Sequence, residues 1–280
     1  MGIALFCRNS RRTTVVGEDC GEHPVGCARR AAPWPACCHV LYGRSFPMQM
    51  AEEHLSTAMI DQTMRFAAST LDAHASIFCW IGPEARVADY QIAGASAGMM
   101  DDYFSGCYVH DPLNVYEVTG FARDILFLEQ ERVRRSDEEN RLHMAFLNRY
   151  GMQDEVNFIF RHDGLPFALL AVLTGPEAAG LSTRLFNFNA MHDYLEFNLK
   201  MHPRVRKARQ EMLLSSRFGL TPREIEVVDL LRNGASNMTI AQIMGIGVAT
   251  VKTYVINILN KLGVDNRAAI IAFLAAMQLP

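Results

Sequence analysis

The stretch from Leu220 to Arg267, "LTPREIEVVDLLRNGASNMTIAQIMGIGVATVKTYVINILNKLGVDNR", constrains the fold more than any other part of the chain. Its helix boundaries can be read residue by residue. Thr221 is a good N-cap. Pro222 suits the first helical position, where the missing N–H would have no intrahelical partner anyway, and Glu224 completes a capping box. Ile225, Val228, Leu230 and Leu231 supply the apolar face, and Asn233-Gly234 ends the helix. Asn237 to Met244 predicts a short second helix, with Ile240, Ala241 and Met244 turned inward. Gly245-Ile246-Gly247 predicts a tight turn. A third helix follows from Val248 to about Leu262, with Val251, Val255, Ile258 and Leu259 inside. Asn266-Arg267 opens a fourth through "AAIIAFLAAMQL".

A short helix, a glycine turn and a longer helix form a helix-turn-helix arrangement. In "LTPREIEVVDLL", "GASNMTIAQIM", "TVKTYVINIL" and "NKLGVDNR", residue types and spacing resemble the LuxR-type four-helix DNA-binding domain, over about a fifth of the chain. The resemblance implies that the third helix enters the major groove. Lys252, Thr253 and Ile256 then face DNA, Thr250 and Asn257 reach the backbone, and Lys261 is a further DNA-binding candidate. The chain departs from the family at several points. Gly247 stands where serine is usual, Ala249 where a basic or polar residue is, and Tyr254 where histidine is common. Ile256 and Asn260 replace residues that are often basic. Each lost phosphate contact weakens the salt-dependent part of affinity. Binding by a single copy is expected to be weak and to be rescued by a homodimer spanning two half-sites of promoter DNA.

Composition limits what the rest can be. Of 280 residues, half are hydrophobic and 20% are charged, which suits a globular chain of about two domains. The net charge of −3 excludes a general nucleic-acid coat, so DNA recognition must be local. No apolar run approaches the roughly 20 residues a membrane span needs. The seven cysteines are odd in number and do not suggest a disulfide framework, which fits a cytoplasmic protein. No paired CxxC or HxxxH spacing supports metal binding around Cys37-Cys38-His39, and none is expected.

Residues 1–49 look foreign to the remainder: they hold five of the seven cysteines and keep no helical or strand period. They are read as a disordered or mis-annotated extension. Residues 50–202 are read as a ligand-sensing or dimerisation domain, 203–217 as a basic connection and 218–280 as the DNA-binding domain. From Met50, Leu55, Met59, Met64, Ala67 and Leu71 recur at near-helical spacing. "ASIFCWI" and "RVADYQIA" read as strands, as do "EVNFIFRH" and "PFALLAVL" around the Asp163-Gly164 turn. "ASAGMMDDYFSG" reads as a helix. "RSDEENRLHMAFLNRYG" reads as another, with Ser136 as N-cap. A helix from about Ser182 to His202 carries Leu181, Leu185, Phe188, Met191, Leu195 and Leu199 as a stripe, packed on a sheet or on a second copy. The fold class is α+β: an N-terminal α/β/α sandwich, plus a C-terminal all-α four-helix helix-turn-helix domain.

The N-terminal domain lacks a GxxxxGK[ST] phosphate loop, and Asp101-Asp102 in a helix does not suit a phosphoacceptor. "DDYFSGCYVHDPLNV" and "NRYGM" resemble segments of the autoinducer-binding domain that recognises acyl-homoserine lactones. The resemblance implies that Asp111 accepts a bond from a ligand amide and that Tyr103 bonds an acyl carbonyl. Tyr108 is the second tyrosine. Met99 stands where a lactone-binding tryptophan is usual, and Tyr116, Phe121 or Phe127 can replace a later aromatic wall. A glycine expected near Glu155 is missing. The ligand is an acyl-homoserine lactone or another small apolar signal. Alternatively, Tyr103 and Tyr108 are core residues of a filled dimerisation or protein-interaction module, making an orphan regulator that needs no ligand. No cofactor is expected. Cys107, His110 and Asp111 lack any catalytic motif context, so the chain is expected not to be an enzyme.

Overall fold

The structure is a computed structural model that describes residues 46–82 and 86–277. The extension predicted over residues 1–49 therefore falls outside it up to residue 45. The chain divides into two compact units, with Thr57–Asn198 in the first and Leu199–Pro280 in the second; the start of the first helix, up to Ser56, belongs to the second.

In the first unit, strand alternation sorts side chains onto the two faces of an antiparallel sheet. The strands are β1 (Ala75–Ile81), β2 (Val87–Ala93), β3 (Ile125–Phe127), β4 (Asp154–His162) and β5 (Leu165–Thr174), in spatial order β2-β1-β5-β4-β3. Asp163 and Gly164, at φ 50° and 78°, make the tight β4–β5 turn expected of Asp-Gly. β1 is buried at every position and so must be covered on both faces, whereas the edge strand β2 is only partly buried.

On one face Ile77, Cys79, Ile159, Leu169, Ala171 and Leu173 form a core with four helices. These are α2 (Ala97–Ser105), α3 (Val115–Val118), α4 (Leu128–Glu131) and α5 (Asp137–Arg149). Ser136 and Glu139 close the capping box at the start of α5. On the other face Phe158 and Phe160 lie under α6 (Phe188–Lys200), through a Phe158–Phe188 ring contact and a stack of Phe160 on His192. The first helix, α1 (Phe46–Leu71), buries Ile60, Met64, Ala67 and Leu71, and its Phe66 meets Tyr194 of α6. The α6 stripe therefore packs on its own sheet.

The predicted start of that helix is too early. Both Gly180 and Leu181 donate their N–H to the Asp154 carboxylate at 2.8 Å, which holds Leu181–Thr183 as a separate turn. Leu181 is buried, but Leu185 is fully exposed rather than part of the stripe.

The second unit is all helical: α7 (Pro203–Ser216), α8 (Pro222–Arg232), α9 (Asn237–Met244), α10 (Val248–Leu262) and α11 (Arg267–Ala276). The basic connection is thus itself a helix. His202 caps it, and Val205, Gln210 and Leu214 are buried, with the Gln210 amide donating to the Leu274 carbonyl at 3.0 Å. The capping box of Thr221 and Glu224 is present as expected. Among the described residues no single helix is long and apolar enough to cross a membrane.

Candidate functional site: an acidic cavity and a recognition helix

In the first unit, a cavity of about 50 Å³ lies between the sheet and helices α2 and α5. Its walls are mostly apolar, including Met99, Met100, Phe104, Phe146 and Leu147. Four polar groups break this lining besides Tyr103: Asp111, His143, Glu155 and Asn157. All four are at least nine-tenths buried.

Asp111 is held from two sides. Its Oδ2 accepts from the Tyr103 hydroxyl at 2.7 Å and its Oδ1 from the Leu113 N–H at 2.7 Å. Arg135 donates to the Asp111 backbone carbonyl at 3.0 Å, and Arg134 to that of Pro112. The segment is therefore pinned outside the cavity while the carboxylate faces in. Burial, and then the Asp111 carboxylate, push the Tyr103 phenol well above its ordinary value, so it remains a hydrogen-bond donor. Burial, and then the carboxylates of Asp111 and Asp154, push Glu155 well above the usual glutamate range. Burial lowers His143, against the pull of Asp111, which favours the neutral imidazole. Cys79, also on the wall, has its thiol pushed up to about 12, chiefly by burial, and stays protonated and inert.

Of the residues the sequence nominates for a ligand, Met99, Tyr103 and Asp111 line this cavity. Tyr108 and Tyr116 do not. They pair with each other at 6.0 Å, and Tyr116 is 43% exposed. Phe127 points away altogether. Its β3 neighbour Leu126 takes the inward phase, so Phe127 meets Phe188 of α6 at 4.9 Å on the opposite face. Glu155 and His143 escaped the sequence reading. Glu155 and Asn157, polar at alternate positions of an apolar strand, were the available signal.

In the second unit, α9 and α10 meet at 110°, within the range of helix-turn-helix pairs. Gly245 makes the turn at φ 65°. Val251, Ile258 and Leu262 fasten α10 to the core. Thr250, Lys252, Thr253, Ile256 and Asn257 are all exposed on its outer side. Lys261, the sixth nominee, is spent elsewhere: its ammonium donates to Glu224 at 2.6 Å and to the Gly219 carbonyl at 2.9 Å. Gly247, the N-cap of α10, makes no side-chain cap. A Cβ there would meet only the Thr250 hydroxyl, at 3.7 Å. Gly247→Ser should stabilise this unit by a few tenths of a kcal/mol, read as a slightly higher unfolding temperature in a calorimetric scan.

Residues 219–274 match the family "Bacterial regulatory proteins, luxR family". This segment is a LuxR-family helix-turn-helix domain. The chain is also 34% identical over 123 residues to "Response regulator protein VraR" of Staphylococcus saprophyticus, a match covering 42% of this chain and 56% of that protein. The chain thus spans little more than half the length of that relative. Among solved structures, Escherichia coli SdiA is similar at 14% identity with a TM-score of 0.40, over 84% of this chain and 98% of that one. SdiA in complex with octanoyl-rac-glycerol is similar at 14% identity with a TM-score of 0.37, over 85% and 97%.

Within the LuxR-family domain, Lys261 acts as a strut. Although burial opposes it, the hydrogen bonds from Lys261 and Thr221 hold Glu224 below its ordinary value of 4.5. Lys261→Met leaves the Glu224 carboxylate buried without its cation, at a cost of about 1–2 kcal/mol after discounting for solvent at the lysine, whose side chain is 33% exposed. A depressed carboxylate stabilises above its unfolded pKa and loses that contribution as pH falls through its folded one. The gap between wild type and Lys261→Met, read by denaturant titration, should therefore be full at neutral pH and shrink as pH falls below the ordinary glutamate value of 4.5.

Proposed function

We propose that the chain is a cytoplasmic transcription regulator that binds promoter DNA as a homodimer and answers to a small molecule held in its first unit. The observation that carries this reading is the exposed row of Thr250, Lys252, Thr253, Ile256 and Asn257 on the third helix of a LuxR-family domain. The unit holding Thr57–Asn198 contributes the sensing half. Support comes from its cavity, whose apolar walls carry Tyr103 and Asp111, groups able to bond a carbonyl and an amide. Homodimer formation is supported by an apolar patch on that unit, where Tyr194 and Phe197 are more than half exposed and Phe66 is 37% exposed. Paired copies would supply two recognition helices, which a domain with five Lys and Arg against four Asp and Glu over residues 219–274 needs for useful affinity.

A second reading keeps the DNA binding and drops the signal. Two features favour it: the cavity holds only a few waters' worth of space, and Tyr103 and Asp111 already satisfy one another. An experiment on the full chain separates the two. Purified protein is used to select DNA fragments from a genomic library. A parallel sample is denatured, and its released small molecules are identified by mass spectrometry. Selective enrichment together with a stoichiometric organic molecule supports the sensor. Enrichment by a protein that releases nothing and responds to no added acyl-homoserine lactone supports the orphan regulator. Failure to enrich any DNA as a folded dimer overturns both.

A further inference from the structure

Three ionisable groups meet in the cavity, and His143 and Glu155 have no part in the sensor reading. Asp111, just after the short turn Cys107–His110, His143 on α5 and Glu155 on β4 each offer one ligand atom, and these atoms all lie within 4.8 Å of one another. They come from three separate elements, and no local motif links them. All three are at least 94% buried. Neither ring nitrogen of His143 has a hydrogen-bond partner, and neither does the Oδ1 of Asn157 beside them. Unpartnered buried polar atoms cost stability, so a native core keeps them for a reason. None of the cavity's lining residues is Lys or Arg, so the two carboxylates have no cation there.

We propose that Asp111, His143 and Glu155 form a binding site for a first-row transition dication, best matched by zinc. The spacing fits. Zinc bonds of about 2.0–2.2 Å place tetrahedral ligand atoms about 3.4 Å apart, and His143 Nε2 stands 3.6 Å from Asp111 Oδ1. An imidazole with two carboxylates suits zinc better than calcium or magnesium, which require six or more oxygens or retain their waters. A dication would balance the two carboxylate charges and use the free histidine nitrogen. Asn157 Oδ1 or a water fills the fourth position, for which a cavity of about 50 Å³ has room. The Tyr103 hydroxyl and the Leu113 N–H already orient Asp111, as outer partners of metal ligands do. The site lies in the cavity of the sensor reading, but it is tested by metal content and not by DNA affinity, so either can fail alone.

The full chain is stripped with chelator, dialysed against zinc and assayed for bound metal, alongside Glu155→Gln and His143→Gln. The cysteines and other histidines of the chain can hold zinc of their own, so the difference between proteins is the readout. Wild type should retain about one more zinc per chain than either variant. Zinc should raise the unfolding temperature of wild type and leave that of Glu155→Gln unchanged. Metal-free Glu155→Gln should be no less stable than wild type, because it removes a buried carboxylate that lacks a cation. Tyr103→Phe, which spares all three ligands, should weaken zinc binding about tenfold or more by freeing Asp111. Equal zinc content and equal thermal response in wild type and the folded variants would overturn the proposal.

Discussion

Lys252→Glu is expected to weaken DNA binding by the full chain about tenfold or more, at least about 1.4 kcal/mol, with no change in thermal stability. The size of the effect follows from how few cations the recognition helix carries. Val248–Leu262 holds two lysines, and Lys261 is committed to Glu224 and Gly219. Lys252 is exposed and has no ion-pair partner among the described residues, so it carries the helix's free positive charge. Lys252→Ala should show the same dependence in milder form, lowering the slope of log affinity against log salt by about 1. Ile256→Ala touches no phosphate and should leave that slope unchanged, while relaxing any preference for a thymine methyl. Fluorescence anisotropy with a selected fragment, repeated at several salt concentrations, distinguishes the three. A full salt slope in Lys252→Ala would remove this helix from the interface.

Gly94→Ala is expected to cost the first unit more than about 3 kcal/mol, about a 10 °C fall in its unfolding temperature. Gly94 follows β2 at φ 76°, a left-handed conformation that an L side chain rarely adopts. A Cβ there would lie 2.0 Å from the His74 carbonyl oxygen. That carbonyl cannot retreat cheaply, because the His74 N–H donates to Leu173 at 2.9 Å and Ala75 begins the β1–β5 ladder. The loss should be confined to this unit, since α7–α11 have a separate core. Calorimetry resolving two transitions would show the lower one shifted and the other in place. A shift below about 1 kcal/mol would mean that this strand end is not as tightly held as its geometry indicates.

Elements governed by local rules were legible in the sequence. The capping boxes at Ser136 and Thr221, the Asp163-Gly164 turn and four of the five strands all emerged where neighbouring residues alone decide the conformation. What stayed hidden depends on distant partners. Leu181 and Leu185 keep the spacing of the following helix, yet Asp154, 26 residues from Gly180, captures the backbone N–H groups that would begin it. Phe127 lies in the continuous apolar run "ILFL", which shows no alternation, so its phase is set only by pairing with β4. In the cavity, Tyr103 and Asp111 sit close together in the chain and were reachable through a family resemblance. His143 and Glu155 were not, because only the sheet and the packing of α5 bring them beside Asp111. The missing glycine near Glu155 and the methionine at position 99 marked a cavity departing from that family, without indicating what the departure was for.

The proposed link between the cavity and the recognition helix is tested most directly by the affinity of the full chain for one selected promoter fragment. The protein is stripped of bound small molecules, then measured alone and after saturation with whichever compound it released on purification, or with each member of an acyl-homoserine lactone panel. A change of about fivefold or more, about 1 kcal/mol of coupling, that disappears in a folded Asp111→Asn variant is the expected result. Equal affinity with the cavity empty and filled would contradict the sensor and leave a regulator that binds DNA without a signal.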